Sequence, residues 1–207
     1  MPASQSRRLL IIILITALSV IGFAPSARAG AATAQIQAAV EKALSILRDP
    51  KLQSDAKRKE LRAAIYPKFD FPEMARRSLG SHWQKRSPHE QQEFVGVFTE
   101  LIENSYMNNI EAYNGEKIIF GAERQERDYA EVETKVANKK GEEISVVYKL
   151  RHAGSDWKIY DVVIENISLV NNYRSQFNRV IAQSSYDELF RKMKDKQFEA
   201  AVGKKST

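Results

Sequence analysis

An α+β fold is predicted by the way the hydrophobic period changes along the chain. Apolar residues recur at helical spacing up to about residue 112, alternate with polar ones to about residue 164, then return to helical spacing. Two serine–glutamate pairs, Ser87 with Glu90 and Ser185 with Glu188, mark helix starts on either side of the alternating region. The expected architecture is a four-stranded antiparallel sheet packed with N-terminal and C-terminal helices.

From 31 to 48, Ile36, Val40, Leu44 and Leu47 form one stripe, and Pro50 stops the helix they define. A second helix starts at Ser54 and ends before Pro67, burying Leu61 and Ile65 while Lys57, Arg58 and Lys59 face water. A third runs from about Pro72 to Leu79, with proline suited to its first turn and Gly80 to the residue just past its end. Ser87-Pro88-His89-Glu90 reads as a capping box with proline at the first helical position. The long helix it opens presents Phe94, Val95, Phe98, Leu101, Ile102, Tyr106 and Ile110 on a wide apolar face, and Asn114-Gly115 closes it.

Strands are then expected at 116–121, 129–137, around 144–150 and at 157–164. The second alternates cleanly, with Ala130, Val132, Thr134 and Val136 on one face and Glu131, Glu133 and Lys135 on the other. The fourth is apolar on both faces, with Trp157, Ile159 and Val163 on one and Tyr160, Val162 and Ile164 on the other, so it should be covered on both sides. After Ser168, Val170, Tyr173, Phe177, Val180 and Ile181 restore the helical stripe, and Ser185 opens a last helix that buries Leu189, Phe190 and Met193.

Arg7-Arg8, an apolar run over 9–23 and the small residues ending in Ala27-Arg28-Ala29 have the order of a secretory signal peptide. The run is shorter than the roughly 20 residues of a membrane span, and Pro25 follows it. We therefore expect a signal peptide over 1–29, a single domain over 30–207 and a periplasmic or extracellular location. Cleavage removes three arginines and no acid, lowering the formal charge from +6 to +3. The absence of cysteine excludes disulfides, thiol catalysis and cysteine metal sites, so folding rests on the core.

The sequence has no nucleophile elbow, dinucleotide fingerprint, P-loop or zincin motif. His82, His89 and His152 fall in or beside turns without ligand spacing, and Glu131 with Glu133 belongs to a solvated strand face. Basic pairs at Arg76-Arg77, Lys139-Lys140 and Lys204-Lys205 are scattered among acids. They read as solubilising charge, with attraction to anionic headgroups or an acidic partner as the alternative. Nucleic acid is a poor partner for an exported, mildly basic domain. This profile suits a carrier better than an enzyme, without naming the cargo.

Two blocks of residues go further. The first runs from Phe69-Asp70-Phe71 through Met74-Ala75, Leu79-Gly80, Trp83, Ser87-Pro88, Gln91, Phe94, Phe98, Leu101 and Tyr106 to Tyr113-Asn114-Gly115-Glu116. The second runs from Trp157-Lys158-Ile159-Tyr160-Asp161-Val162 through Glu165-Asn166-Ile167-Ser168-Leu169-Val170 and Tyr173-Arg174-Ser175-Gln176-Phe177 to Tyr186-Asp187-Glu188-Leu189. In this order they resemble MlaC, the periplasmic phospholipid-carrier family of ABC lipid-transport systems, also known for toluene tolerance. The chain departs from the family at Asn166, where glycine is common; asparagine tolerates a positive φ better than most residues.

The resemblance implies a monomeric, non-catalytic carrier whose sheet and helices open around an apolar lipid pocket, with phospholipid as cargo rather than cofactor. It implies two partners, an inner-membrane ABC transporter complex with its substrate-binding ring and an outer-membrane lipoprotein complex. A hopanoid-like cargo, or more weakly an exported hydrolase, are the alternatives. The pocket wall is then expected from Phe98, Leu101, Ile102 and Tyr106 of the long helix, from Val132, Val146, Tyr148 and Val163 of the strands, and from Ile167 and Val170. A carrier is needed on physical grounds. A two-chain lipid exposes on the order of 30 methylenes at ~0.8 kcal/mol each, so free passage through water costs roughly 20 kcal/mol.

Overall fold

Six α-helices and a five-stranded antiparallel meander make up the structure, a computed structural model that describes residues 30–196. The expected signal segment 1–29 and the Lys204-Lys205 pair lie outside the described residues. The helices are α1 (Ala31–Arg48), α2 (Ser54–Ile65), α3 (Phe71–Leu79), α4 (Pro88–Glu111), α5 (Leu169–Gln183) and α6 (Tyr186–Lys194). The strands, β1 (Lys117–Glu126), β2 (Tyr129–Ala137), β3 (Glu143–Ala153), β4 (Asp156–Ile164) and β5 (Ile167–Ser168), pair in sequence order.

The caps behave as their chemistry dictates. Ser87 Oγ accepts from the Glu90 N–H while the Glu90 carboxylate accepts from the Ser87 N–H at 2.7 Å, completing the capping box of α4. Ser185 accepts from the Glu188 N–H and starts α6. Asp70 caps α3 by accepting from the Glu73 N–H at 3.1 Å, and its other oxygen accepts from Arg151 Nε of β3 at 2.6 Å. One buried carboxylate thus ties a helix start to the sheet.

The sheet differs from expectation in three places, each at an irregularity of pairing. Strand β1 continues past Gly121 to Glu126 through a bulge between Phe120 and Glu123. The bulge turns Glu123 inward, where its carboxylate accepts from the Thr33 N–H at 2.7 Å and supplies an acidic cap for the first turn of α1. A fifth strand forms because the tight turn at Glu165-Asn166, with φ of 48° and 65°, folds Ile167 and Ser168 back onto Ile164 and Val163. In β4, Leu150 of β3 faces Ile159 but Lys149 faces Asp161, so Tyr160 is an extra residue. The inner face therefore carries Trp157, Ile159, Val162 and Ile164, and Val163 lies on the other face opposite Val147. This corrects the regular alternation expected for the strand.

Two main apolar clusters result. The sheet cluster packs Ala32 and Ile36 of α1 on Ala130, Val132, Val146, Leu150, Trp157, Ile159 and Val162. The helical cluster joins α3, α4, α5 and α6 around Phe94, Phe98, Tyr173 and Phe177. Phe69, partly buried, packs against both, and a smaller cluster of Ile46, Leu61 and Met107 ties α1 and α2 to the far end of α4. Polar clamps hold α1 down, since Gln35 accepts from the Trp157 N–H at 3.0 Å and donates to the Trp157 carbonyl.

On α3, Glu73 accepts from both Arg76 and Arg77 at 2.6–2.8 Å, which holds its carboxyl at about 2 against the opposing effect of burial. A depressed carboxylate contributes stability above its unfolded value of about 4.5. That contribution is lost as pH falls from about 4.5 towards 2. Acid titration of Glu73→Gln, followed by helical circular dichroism, should show a shallower decline in that window. The wild-type excess should be about 1–2 kcal/mol once screening of the half-exposed Arg76 is allowed for.

Candidate functional site

The register of the sheet gathers one continuous apolar surface. A row runs across all five strands through Phe120, Thr134, Val146, Ile164 and Ile167, and the next pairs Val132 with Tyr148 and Val162. Cross-strand partners project to the same side, so these residues share the face that α1 half covers. Thr134 is compatible with that face because its hydroxyl donates to the Val146 carbonyl at 3.0 Å. The opposite face bears Glu131, Glu133, Lys135, Lys149 and Asp161, with ion pairs from Lys149 to Glu131 and from Arg124 to Glu133.

The ten residues expected at a pocket separate into three groups. Val132, Val146 and Tyr148 lie on the inner sheet face, and Ile167 joins them at its edge with 43% of its surface exposed. Phe98, Leu101, Ile102 and Val170 belong to the helical cluster, with Tyr106 packed at its margin. Phe98 is closed on all sides by rings of Phe94, Tyr173 and Phe177 with centroids 5.9–6.3 Å away. Val163, on the outer face, meets none of the others.

Tyr106 and Tyr148 are the two partly accessible aromatic residues among the ten. Each belongs to a different cluster and keeps some accessible surface. Burial pushes the hydroxyl pKa of both up; the nearby Tyr173 adds to the effect at Tyr106, and the hydrogen bond with Thr134 opposes it at Tyr148. The Tyr106 oxygen is itself out of reach of water. Tyr106 packs with Ile102 at the helical cluster, and Tyr148 with Val146 in the sheet cluster. The exposed Ile144 and Ile167 stand at the end of the face near Val146.

The expected pocket wall left out Phe120, Val136 and Ile164 of this face, and Val40 of α1 beside it. Alternation along β2 already placed Val136 with Val132, whereas the position of Ile164 on the same face as Trp157 and Ile159 depends on the β4 bulge, which has no signature in the sequence. Among the described residues no cluster of His, Asp and Glu could hold a metal ion, and no helix is long and apolar enough to cross a membrane. His152 packs edge-on against Trp157 at 4.9 Å, and His89 lies 3.4 Å from Glu93 on the surface of α4.

Comparison with known proteins gives a consistent picture. The chain is 25% identical to the phospholipid-binding protein from Ralstonia solanacearum, solved in complex with a phospholipid; the match has a TM-score of 0.72 and covers 80% of this chain and 96% of that one. It is 23% identical over 138 residues to the intermembrane phospholipid transport system binding protein MlaC of Haemophilus influenzae, covering 64% of each chain. It is 27% identical over 105 residues to the toluene tolerance protein ttg2D of Pseudomonas putida, covering 50% of this chain. The aligned parts span 64% and 49% of the lengths of those two relatives. Residues 37–195 match the family model described as MlaC protein, which takes in the whole helical cluster and the strands of the sheet cluster, and the chain belongs to the MlaC family.

Proposed function

We propose that the protein is a periplasmic phospholipid carrier. It holds acyl chains between the inner sheet face and the helical cluster, and passes lipid between outer-membrane and inner-membrane components of an ABC transport system without catalysis. The observation that carries this reading is the apolar inner face of the sheet, which leaves Tyr148 partly accessible and Ile144 and Ile167 exposed at its end. The phospholipid held by the Ralstonia relative supports the cargo class. The inner face offers methyl and ring surface to acyl chains, with no charged side chain in the row through Val146, and the one in the row through Tyr148, Glu123, is engaged by the Thr33 N–H of α1.

Organic extraction of the purified protein followed by mass spectrometry should recover phospholipid near one molecule per protein. A polycyclic lipid would redirect the cargo assignment, and the absence of any stoichiometric apolar ligand would sink the reading. A photo-crosslinking residue at Ile167 should label acyl chains, whereas one at Glu131 on the outer face should not. Ile167→Glu places a carboxylate at the edge of the apolar face, so bound lipid should fall severalfold. The exposed position should keep the stability change within about 0.5 kcal/mol. Equal labelling at Ile167 and Glu131 would place the cargo elsewhere.

A further inference from the structure

The outer side of the sheet carries a concavity. Between α3, α5 and the bulge of β4 lies a groove of about 460 Å³ lined by Arg76, Arg77, Gly80, Lys149, Tyr160, Asp161, Val170, Asn171 and Arg174. Four cations thus face one carboxylate, and that carboxylate is already engaged. Asp161 accepts from Ser168 Oγ at 2.6 Å and from the Val170 N–H at 3.0 Å. Behind the rim, Glu73 pairs with Arg76 and Arg77, and Glu131 pairs with Lys149 at 3.1 Å. Arg174 has no carboxylate partner among the described residues.

The guanidinium groups are held in place before any ligand arrives. Arg77 donates through Nε to Glu73 and lies over the Tyr160 ring at 4.3 Å, which leaves its terminal nitrogens free. Arg174 lies against Gly80, where an added Cβ would come within 3.0 Å of Arg174 Nε. Gly80 has φ 60° and ψ −130°, a backbone state that a side chain would strain, so it provides both the helix end and the room for the guanidinium. Such a fixed, concave set of forked donors matches a tetrahedral oxyanion better than a flat charged surface does.

We propose that this groove is a binding site for a single phosphate-class oxyanion, held by Arg77, Arg174 and Lys149 with Asn171 as a neutral donor. The anion is either free phosphate or the phosphodiester of a lipid headgroup at a membrane surface. The site lies across the sheet from Val146 and Tyr148, so it does not depend on the carrier reading, and extraction of acyl-chain ligand should leave it unchanged.

The test is calorimetric titration of the purified protein with inorganic phosphate at low ionic strength. Saturable binding is expected, weakened tenfold or more by Arg174→Gln and by Lys149→Gln. Arg179→Gln, which removes the same charge from the same helix outside the groove, should change it by less than twofold. Circular dichroism checks that each variant is folded, and Lys149→Gln decides if Arg174→Gln is not. Flotation with phosphatidylglycerol vesicles, absent with phosphatidylcholine and lost in Arg174→Gln, would identify the lipid headgroup as the source. Phosphate binding without flotation would identify the free anion. No saturable phosphate binding, an equal loss in Arg179→Gln, or a groove that takes an acidic peptide but ignores phosphate would overturn the proposal.

Discussion

Phe98→Ala should cost the lipid-free protein about 3–5 kcal/mol in denaturant unfolding, the largest loss expected from a single side chain. Phe98 has no accessible surface, and its ring meets those of Phe94, Tyr173 and Phe177, so truncation leaves a cavity whose walls belong to α4 and α5 and cannot close without moving both. Tyr106→Ala, two helical turns further on, should cost less, about 1–2 kcal/mol, because that residue keeps some accessible surface and its hydroxyl is poorly satisfied. Lipid phosphorus per protein should respond in the opposite order, with Tyr106→Ala losing cargo while folded and Phe98→Ala retaining it in the folded fraction. Equal stability losses, or a stable Phe98→Ala protein stripped of lipid, would show that the boundary between closed core and lipid-facing wall has been drawn in the wrong place.

Asp161→Ala should cost about 2–4 kcal/mol. The side chain is only 6% exposed, and it accepts from the Val170 N–H and from the hydroxyl of Ser168, which in turn caps α5 by accepting from the Asn171 N–H. Alanine would leave a buried N–H without an acceptor and remove a negative charge from the start of α5, and the two losses act in the same direction. Asp161→Asn keeps an oxygen acceptor and should recover about half of the loss. Thermal and urea unfolding of the two variants side by side measure this. An alanine variant within about 0.5 kcal/mol of wild type would mean that α5 is held by its apolar stripe alone.

The legibility of the fold follows from the range of the interactions that set it. The capping box at Ser87, the alternation along β2 and the stripe of α5 depend on residues within a turn or two of each other, and each stands where its spacing put it. The exceptions are set across the chain. Residues 123–126 are polar and look like a loop, yet they pair with β2 because the bulge between Phe120 and Glu123 turns Glu123 towards α1. The positive φ of Asn166 is the tolerance expected of asparagine, but the two-residue strand that follows exists only through its partners on β4.

The candidate site was legible in part for the same reason. Periodicity finds the apolar residues but cannot divide closed core from open wall. Phe98 and Tyr106 share one helical face and differ only in what α5 brings against them. Similarly, Arg76-Arg77, Lys149 and Arg174 are scattered in sequence and converge only once α3 and α5 flank β4.

Tyr160 shows how much can hang on a single count along a strand. Side chains alternate sides with the parity of their position, and the extra residue switches that parity halfway through β4. If Tyr160 were instead paired in regular register, one half of the strand would turn over. Trp157 and Ile159 would face water with Lys158 in the apolar interior, or Val162 and Ile164 would leave the interior and surrender their places to Asp161 and Val163. Flattening the bulge with Tyr160 still in place would thus act as a frameshift in space, exchanging greasy and charged surfaces with no amino acid altered, whereas deleting Tyr160 would leave both halves on their own sides.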